Sequence, residues 1–301
     1  MSKPASNKYK TTNWPSYHAA LKSRGALMIW LDPALKWAWA AEPTGKRGRN
    51  PTFSDAAIQF CLTIKCLFGL ALRQATGMVE SLLRLANLDW VVPDSSTISR
   101  RQKTLEVTIP ARQSQGGLHL LVDSTGIKML GEGEWKTKKH GAEYRRQWRK
   151  VHLGIDAETL EIRAIEVTDN KTGDAPMLPE LMNQIPESEQ IKECHNAIAA
   201  RGAAAIISTR KNAQFRKENT AGARARNAIL RATKYLGRAI WKKRSGYHRR
   251  SLVETKMRCF KLLGERVMAR DFERQVAELQ VRVAILNRFT QLGTPTTVRV
   301  G

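Results

Sequence analysis

Two acidic residues stand where they could hold a cation. Asp123 closes the apolar run Leu118-His119-Leu120-Leu121-Val122 and is followed by Ser124-Thr125-Gly126. A buried strand that ends on a carboxylate projects that group from a sheet, where it can meet a hard divalent ion. The alternative is an aspartate that begins a turn, the everyday use of the residue. The second acid, Glu254, lies in the stretch 247–261. Tyr247, Glu254 and Lys261 are seven apart, so on a helix they share one side. Val253, Met257, Phe260 and Val267 form a second, apolar stripe suited to a core. Glu254 is thereby held among Arg250, Arg258 and Lys261. Spacing alone favours the plainer alternative, a solvated salt-bridge face.

The elements that must position these acids follow from periodicity. Residues 118–126 predict a buried strand. The segment 136–150 carries seven Lys or Arg and one acid, beside Trp135, Tyr144 and Trp148. It suits a strand of DNA, with phosphates on the cations and bases on the rings, and equally suits a charged hairpin arm. Two strands are expected at 149–156 and 161–168, with a turn at 157–160. A helix opens at Gly173 and runs to Gln184, where Ile185 and Pro186 end it. A strand at 204–209 and a basic, partly helical stretch at 212–244 follow. The last helix, 272–289, repeats an apolar stripe at Phe272, Val276, Leu279, Val283 and Leu286.

Ahead of this α/β part the chain reads as helical. Residues 1–50 are basic, with Trp14, Tyr17, Trp30, Trp37 and Trp39 able to pack a small hydrophobic unit. Ser54 is placed to cap a helix through Ile58 and Leu62. A second helix is expected at 72–88 with Met78, Leu82 and Leu85 on one side. After a turn at 89–94, Ser95 or Ser96 could cap a short helix at 97–105 that carries Arg100, Arg101 and Lys103. Helix, turn and short basic helix outline a helix-turn-helix reader of DNA. Pro110, Gly116 and Gly117 punctuate a linker before the first strand.

The chain has 301 residues and a formal charge of +24, which points to a polyanionic partner. Residues 201–250 hold 15 Lys or Arg and the single acid Glu218, so this window supplies +14 of that charge. Cys61, Cys66, Cys194 and Cys259 show neither zinc-ligand spacing nor a disulfide framework, and a reduced bacterial cytoplasm is expected. No His pair has zinc-ligand spacing. No apolar stretch is long enough for a membrane span, so no membrane partner is expected.

Tyr-x2-Arg-x3-Glu-x6-Lys, met by Tyr247, Arg250, Glu254 and Lys261, resembles the signature around the last acid of DDE transposases from bacterial insertion sequences. The similarity extends over nearly the whole chain and is nearest to the insertion-sequence-five family, nine-oh-three group. It implies an α/β, ribonuclease-H-like mixed sheet with helices, preceded by an all-α helix-turn-helix-like DNA-binding region. It places the first catalytic Asp at Asp123 and the last acid at Glu254, both as ligands of Mg²⁺, with Mn²⁺ as an alternative. It gives Tyr247, Arg250 and Lys261 to the DNA end, and Arg100, Arg101 and Lys103 to the reader. The implied partners are double-stranded DNA, as terminal inverted repeats and target, and further copies of the chain in the DNA complex. The implied domains are 1–50, a helical DNA-binding domain at 51–110, a catalytic domain at 115–290 with a basic insertion near 211–245, and a loose tail at 291–301. The chain departs from the family pattern after Pro186. No room remains there for the strand that carries the second catalytic Asp, and Glu187, Glu189 and Glu193 sit in no matching motif. The expectation is a transposase relative with weakened or absent cleavage; the rival is a non-catalytic DNA-binding protein that occupies the repeats.

Overall fold

The structure, a computed structural model, describes residues 8–31, 35–38, 52–112, 118–129, 148–186, 206–209 and 212–300. In chain order its elements are β1 (Lys8–Thr11), α1 (Trp14–Arg24), α2 (Asp55–Phe68), α3 (Leu72–Leu85), α4 (Ser95–Arg101), β2 (Leu120–Met129), β3 (Trp148–Asp156), β4 (Ile162–Thr168), α5 (Asp174–Asn183), α6 (Ala221–Leu236), α7 (Arg238–Arg244), α8 (Ser251–Leu262), β5 (Arg266–Val267), α9 (Phe272–Leu292) and β6 (Thr297–Val300). Two compact units divide the chain, one of Met1–Pro110 with Ala284–Gly301 and one of Ala111–Val283.

The first unit is built on α2. Ser54 caps it as expected, its hydroxyl accepting from the Ala57 N–H at 3.1 Å. Ala57, Ile58, Cys61, Leu62 and Ile64 are buried, and burial pushes the Cys61 thiol up to about 12. Gly69, at φ 63°, ends the helix in the left-handed conformation. α3 buries Ala75, Val79 and Leu83, not the expected face of Met78, Leu82 and Leu85, and Leu85 is 81% exposed. The expected stripe is one position out of phase with the buried one. Trp37 is buried against Phe60 and Trp90 and donates to the Val91 carbonyl at 2.7 Å. The expected loose tail is instead a strand: β6 pairs antiparallel with β1, Lys8 opposite Val300 through Thr11 opposite Thr297. Pairing across the length of the chain leaves no local periodicity to read.

The second unit holds a mixed four-stranded sheet in the order β4-β3-β2-β5. β2 and β3 pair antiparallel from Leu120 opposite Asp156 to Lys128 opposite Trp148, and β3 pairs antiparallel with β4. β5 runs parallel to β2 and meets it only at Lys128 and Met129. Gly126 lies under the Trp148 ring, where a Cβ would come within 2.9 Å. On one face α5 covers the sheet: Leu118, Leu120 and Ala164 pack with Leu178, Leu181, Met182 and Ile185, and Val122 joins them. By strand alternation Leu121 and Asp123 face the other way. This mixed α/β arrangement is consistent with a ribonuclease-H-like domain.

Among the described residues no strand pairs with β2 between Leu120 and Ile127 on the side away from β3. Of the expected strand at 204–209, the described part, 206–209, forms no strand. The expected deletion after Pro186 falls in 187–205, outside the described residues, as does most of the basic arm at 136–150. No single described helix is long and apolar enough to cross a membrane.

Candidate active site

Asp123 enters the site from the middle of β2. Its side chain is 15% exposed. Glu254 enters from the first turn of α8, a helix fixed in rotation by its buried Val253, Met257 and Phe260. The stripe expected for a core is the one buried, and Val267 of β5 is buried too. Glu254 is therefore on the exposed side. The two acids, far apart in sequence, line one cleft of about 480 Å³. Arg258, Lys261 and Glu265 line it as well.

One helix from Tyr247 to Lys261 was the expectation, but the structure divides that stretch. Tyr247–Arg250 is a 3₁₀ turn, entered from Gly246 at φ 72°, and the α-helix begins at Ser251. The tighter winding of i to i+3 bonds rotates Tyr247 away from the line of Glu254 and Lys261. Its hydroxyl accepts from Arg250 Nη1 at 3.1 Å. Arg250 Nη2 reaches Asp123 Oδ1 at 3.0 Å, and the Ser124 N–H donates to that same oxygen at 3.0 Å. The bond to Tyr247 and the Asp123 charge raise the Arg250 pKa against the effect of burial.

The far wall of the cleft is held by a buried ion pair. Arg282 lies 2.8 Å from Glu278 and donates to the carbonyls of Gly264 and Arg266, both at 2.6 Å. Gly264, at φ 140°, has the Arg282 guanidinium against the place a Cβ would take. The Glu278 carboxylate accepts the Met268 and Ala269 N–H groups at 3.1 Å. These bonds fix the turn that carries Glu265 and starts β5.

Behind β2, on the α5 face, Asp174 collects three partners. Ser124 Oγ donates to Asp174 Oδ1 at 2.5 Å, and Lys150 Nζ stands 2.9 Å from the same oxygen. His152 is fully buried, with Nδ1 3.1 Å from Asp174 but outside hydrogen-bond alignment, and Nε2 2.9 Å from Thr168 Oγ1. Burial would raise the Asp174 carboxyl, but Ser124 and Lys150 hold it below its ordinary value. Burial, aided by Lys150, pushes the His152 imidazole down. Nothing in the sequence marks this network except Ser124, next to Asp123.

In the first unit the three cations expected on the reader helix part company. Asp94, not Ser95 or Ser96, caps α4, accepting from the Ser96 and Thr97 N–H groups at 2.7 and 3.0 Å. Those bonds hold its carboxyl well below the usual range. Arg101 turns inward to Asp55 at 2.5 Å and the Phe53 carbonyl at 3.0 Å. Arg100, bonded to Ser96 Oγ at 3.0 Å, is exposed, and so is Lys103 beyond the helix.

Among the described residues no group of three or more His, Cys, Asp or Glu is placed to hold a metal ion. Asp123 and Glu254 nonetheless offer the donor type that suits magnesium: carboxylate oxygens, to be completed by water and substrate phosphate and needing no protein cage. Two family models match the sequence, each described as a Transposase DDE domain, one over residues 22–132 and the other over 114–288. The second covers more than half of the chain. No solved structure matches it.

Proposed function

The chain belongs to the DDE transposases, a family of DNA cleavage and strand-transfer enzymes that generally use divalent metal, and from that membership we propose that it is the transposase of a bacterial insertion sequence of the insertion-sequence-five family, nine-oh-three group. It binds the element's terminal inverted repeats through the first unit and acts on their ends through the second. The observation that carries this reading is the meeting of Asp123 and Glu254 in one cleft with Arg258 and Lys261. Asp123 and Glu254 would hold Mg²⁺ or Mn²⁺. A divalent ion there supplies an activated water and stabilises the oxygens that attack and leave in an in-line displacement. Arg250, Arg258 and Lys261 bind the phosphates of the DNA end, and Tyr247 orients Arg250 by its hydrogen bond. Arg100 and Lys103 face DNA from the first unit, while Arg101 fastens α4 to Asp55.

A second reading, a DNA-binding relative without cleavage, is favoured by one observation. The edge of β2 where a third acid would be carried has no described partner strand. Incubating duplexes bearing the element ends with Mg²⁺ or Mn²⁺, beside a gel shift, separates the two. The transposase reading expects a shift together with nicking. Nicking should drop about a hundredfold or more in Asp123→Asn and in Glu254→Gln, since a metal contributes several kcal/mol of charge stabilisation. A shift with no nicking in either metal would leave the second reading in place.

A further inference from the structure

Asp123 already has a cation. The Arg250 guanidinium lies 3.0 Å from Oδ1, on the carboxylate that the proposed function gives to a metal. The contact has a supported geometry, because Arg250 Nη1 is anchored 3.1 Å from the Tyr247 hydroxyl. Arg250 ends the 3₁₀ turn one helical turn ahead of Glu254, so it stands between the two acids along the chain. Its side chain is 46% exposed while that of Asp123 is 15% exposed. The arginine is thus the solvent-facing partner of a sheltered carboxylate.

A guanidinium and a divalent cation repel each other and compete for the same oxygen, so each weakens the other's hold on Asp123. An ion pair with one partner this exposed adds little net stability, so it can be broken at small cost. Arginine also matches the geometry of a phosphate better than any other side chain does, and a DNA phosphate offers it a second anion to move to.

We infer that Arg250 is an autoinhibitory contact: it takes the cation's place on Asp123 while DNA is absent and leaves it for a phosphate of the incoming strand, so that metal loading is confined to the DNA-bound protein. The inference rests on the reading of Asp123 as a metal ligand. By linkage, DNA and metal each raise the protein's affinity for the other. Off DNA the cleft keeps a neutralised carboxylate and no metal-activated water.

Mn²⁺ binding to the full chain without DNA, followed by the electron paramagnetic resonance of free Mn²⁺, tests it. Wild type, Arg250→Gln, Asp123→Asn and the double variant are compared, with circular dichroism confirming that each is folded. Arg250→Gln should bind Mn²⁺ about fivefold or more tightly than wild type, the lower end of ordinary coupling, and the double variant should lose that gain. If Arg250→Gln titrates like wild type or more weakly while Asp123→Asn weakens binding, the exchange is wrong and Asp123 remains a ligand. If Asp123→Asn changes nothing in either background, the ligand reading fails and the exchange with it. A random-sequence duplex read by fluorescence anisotropy tests the other half. The ratio of DNA affinity in Mn²⁺ to that in chelator should be smaller in Arg250→Gln than in wild type, and an equal ratio overturns the exchange.

Discussion

His152 is a fully buried imidazole on the sheet strand next to the one that carries Asp123. Burial disfavours its charged form, and Lys150 adds to that, while Asp174 acts in the opposite direction. In the unfolded chain the same group takes a proton near pH 6.5. The unfolded state then binds more protons than the native one as pH falls below that value, so stability falls with it. Expected outcomes are an NMR titration midpoint for His152 below 6.5 and a stability that declines as acid is added from pH 7 towards pH 5. Asp174→Asn removes the one neighbour that favours the imidazolium, so the midpoint should drop further. A midpoint that rises in that variant would contradict the role of Asp174 as the group that favours the imidazolium. The same substitution withdraws the acceptor of the Ser124 hydroxyl. The backbone N–H of that serine supports Asp123, so the buried network and the cleft meet in one residue.

At the scale of single elements, local chemistry was legible and its exact partner often was not. The Ser54 cap, the strand that carries Asp123 and the Gly173 start of α5 all follow from signals within a few residues. The cap of α4 came out one or two residues early, at Asp94, because Asp, Ser and Ser are all good caps and only the fold chooses among them. The 3₁₀ turn before α8 was hidden because none of its four residues is buried, so no apolar periodicity marks its winding. Arg101 is the sharpest case. Sequence places it with Arg100 and Lys103 as a cation for DNA, yet its guanidinium bonds Asp55 and the Phe53 carbonyl. Sequence offers no clue to a partner so distant along the chain. Arg101→Ala should therefore lower the stability of the first unit by about 1–3 kcal/mol, the usual loss for a hydrogen-bonded charged group. Arg100→Ala should leave the melting curve nearly unchanged. It should weaken duplex binding and reduce the slope of binding against salt by about 1. A stability loss in Arg100→Ala equal to that in Arg101→Ala would contradict this division.

The whole chain folds its ends together, and its charge lies far from them in sequence. Residues 1–110 as a separate fragment lack β6, the partner of β1, and the part of α9 that buries Ala284, Ile285 and Leu286. They also lose the Asn287 bond to the Pro110 carbonyl and the edge-to-face contact of Trp30 with Phe289. The fragment alone should give the poorly dispersed NMR spectrum of an unfolded or molten chain, whereas one with 284–301 joined to it through a linker should give a folded spectrum. The basic window 201–250 lies in the second unit. Within 201–250 the sole acid, Glu218, is already taken by Arg231 at 2.5 Å and by Asn227. Lys243 and Arg244 at the end of α7 have no ion pair among the described residues, and Lys243 is exposed. Cations in that state are available to phosphate, and each phosphate they neutralise releases counterions. Duplex binding by the intact protein should consequently fall steeply with salt. If both residues neutralise a phosphate, Lys243→Gln with Arg244→Gln should flatten the plot of log K against log salt by about 1.8, which is about 0.9 for each phosphate left without its cation. The effect should be the same on duplexes of unrelated sequence, because backbone charge carries no sequence information. A slope unchanged by both substitutions would take α7 out of the DNA path and leave the cleft's own arginines and lysine as the groups that hold phosphate.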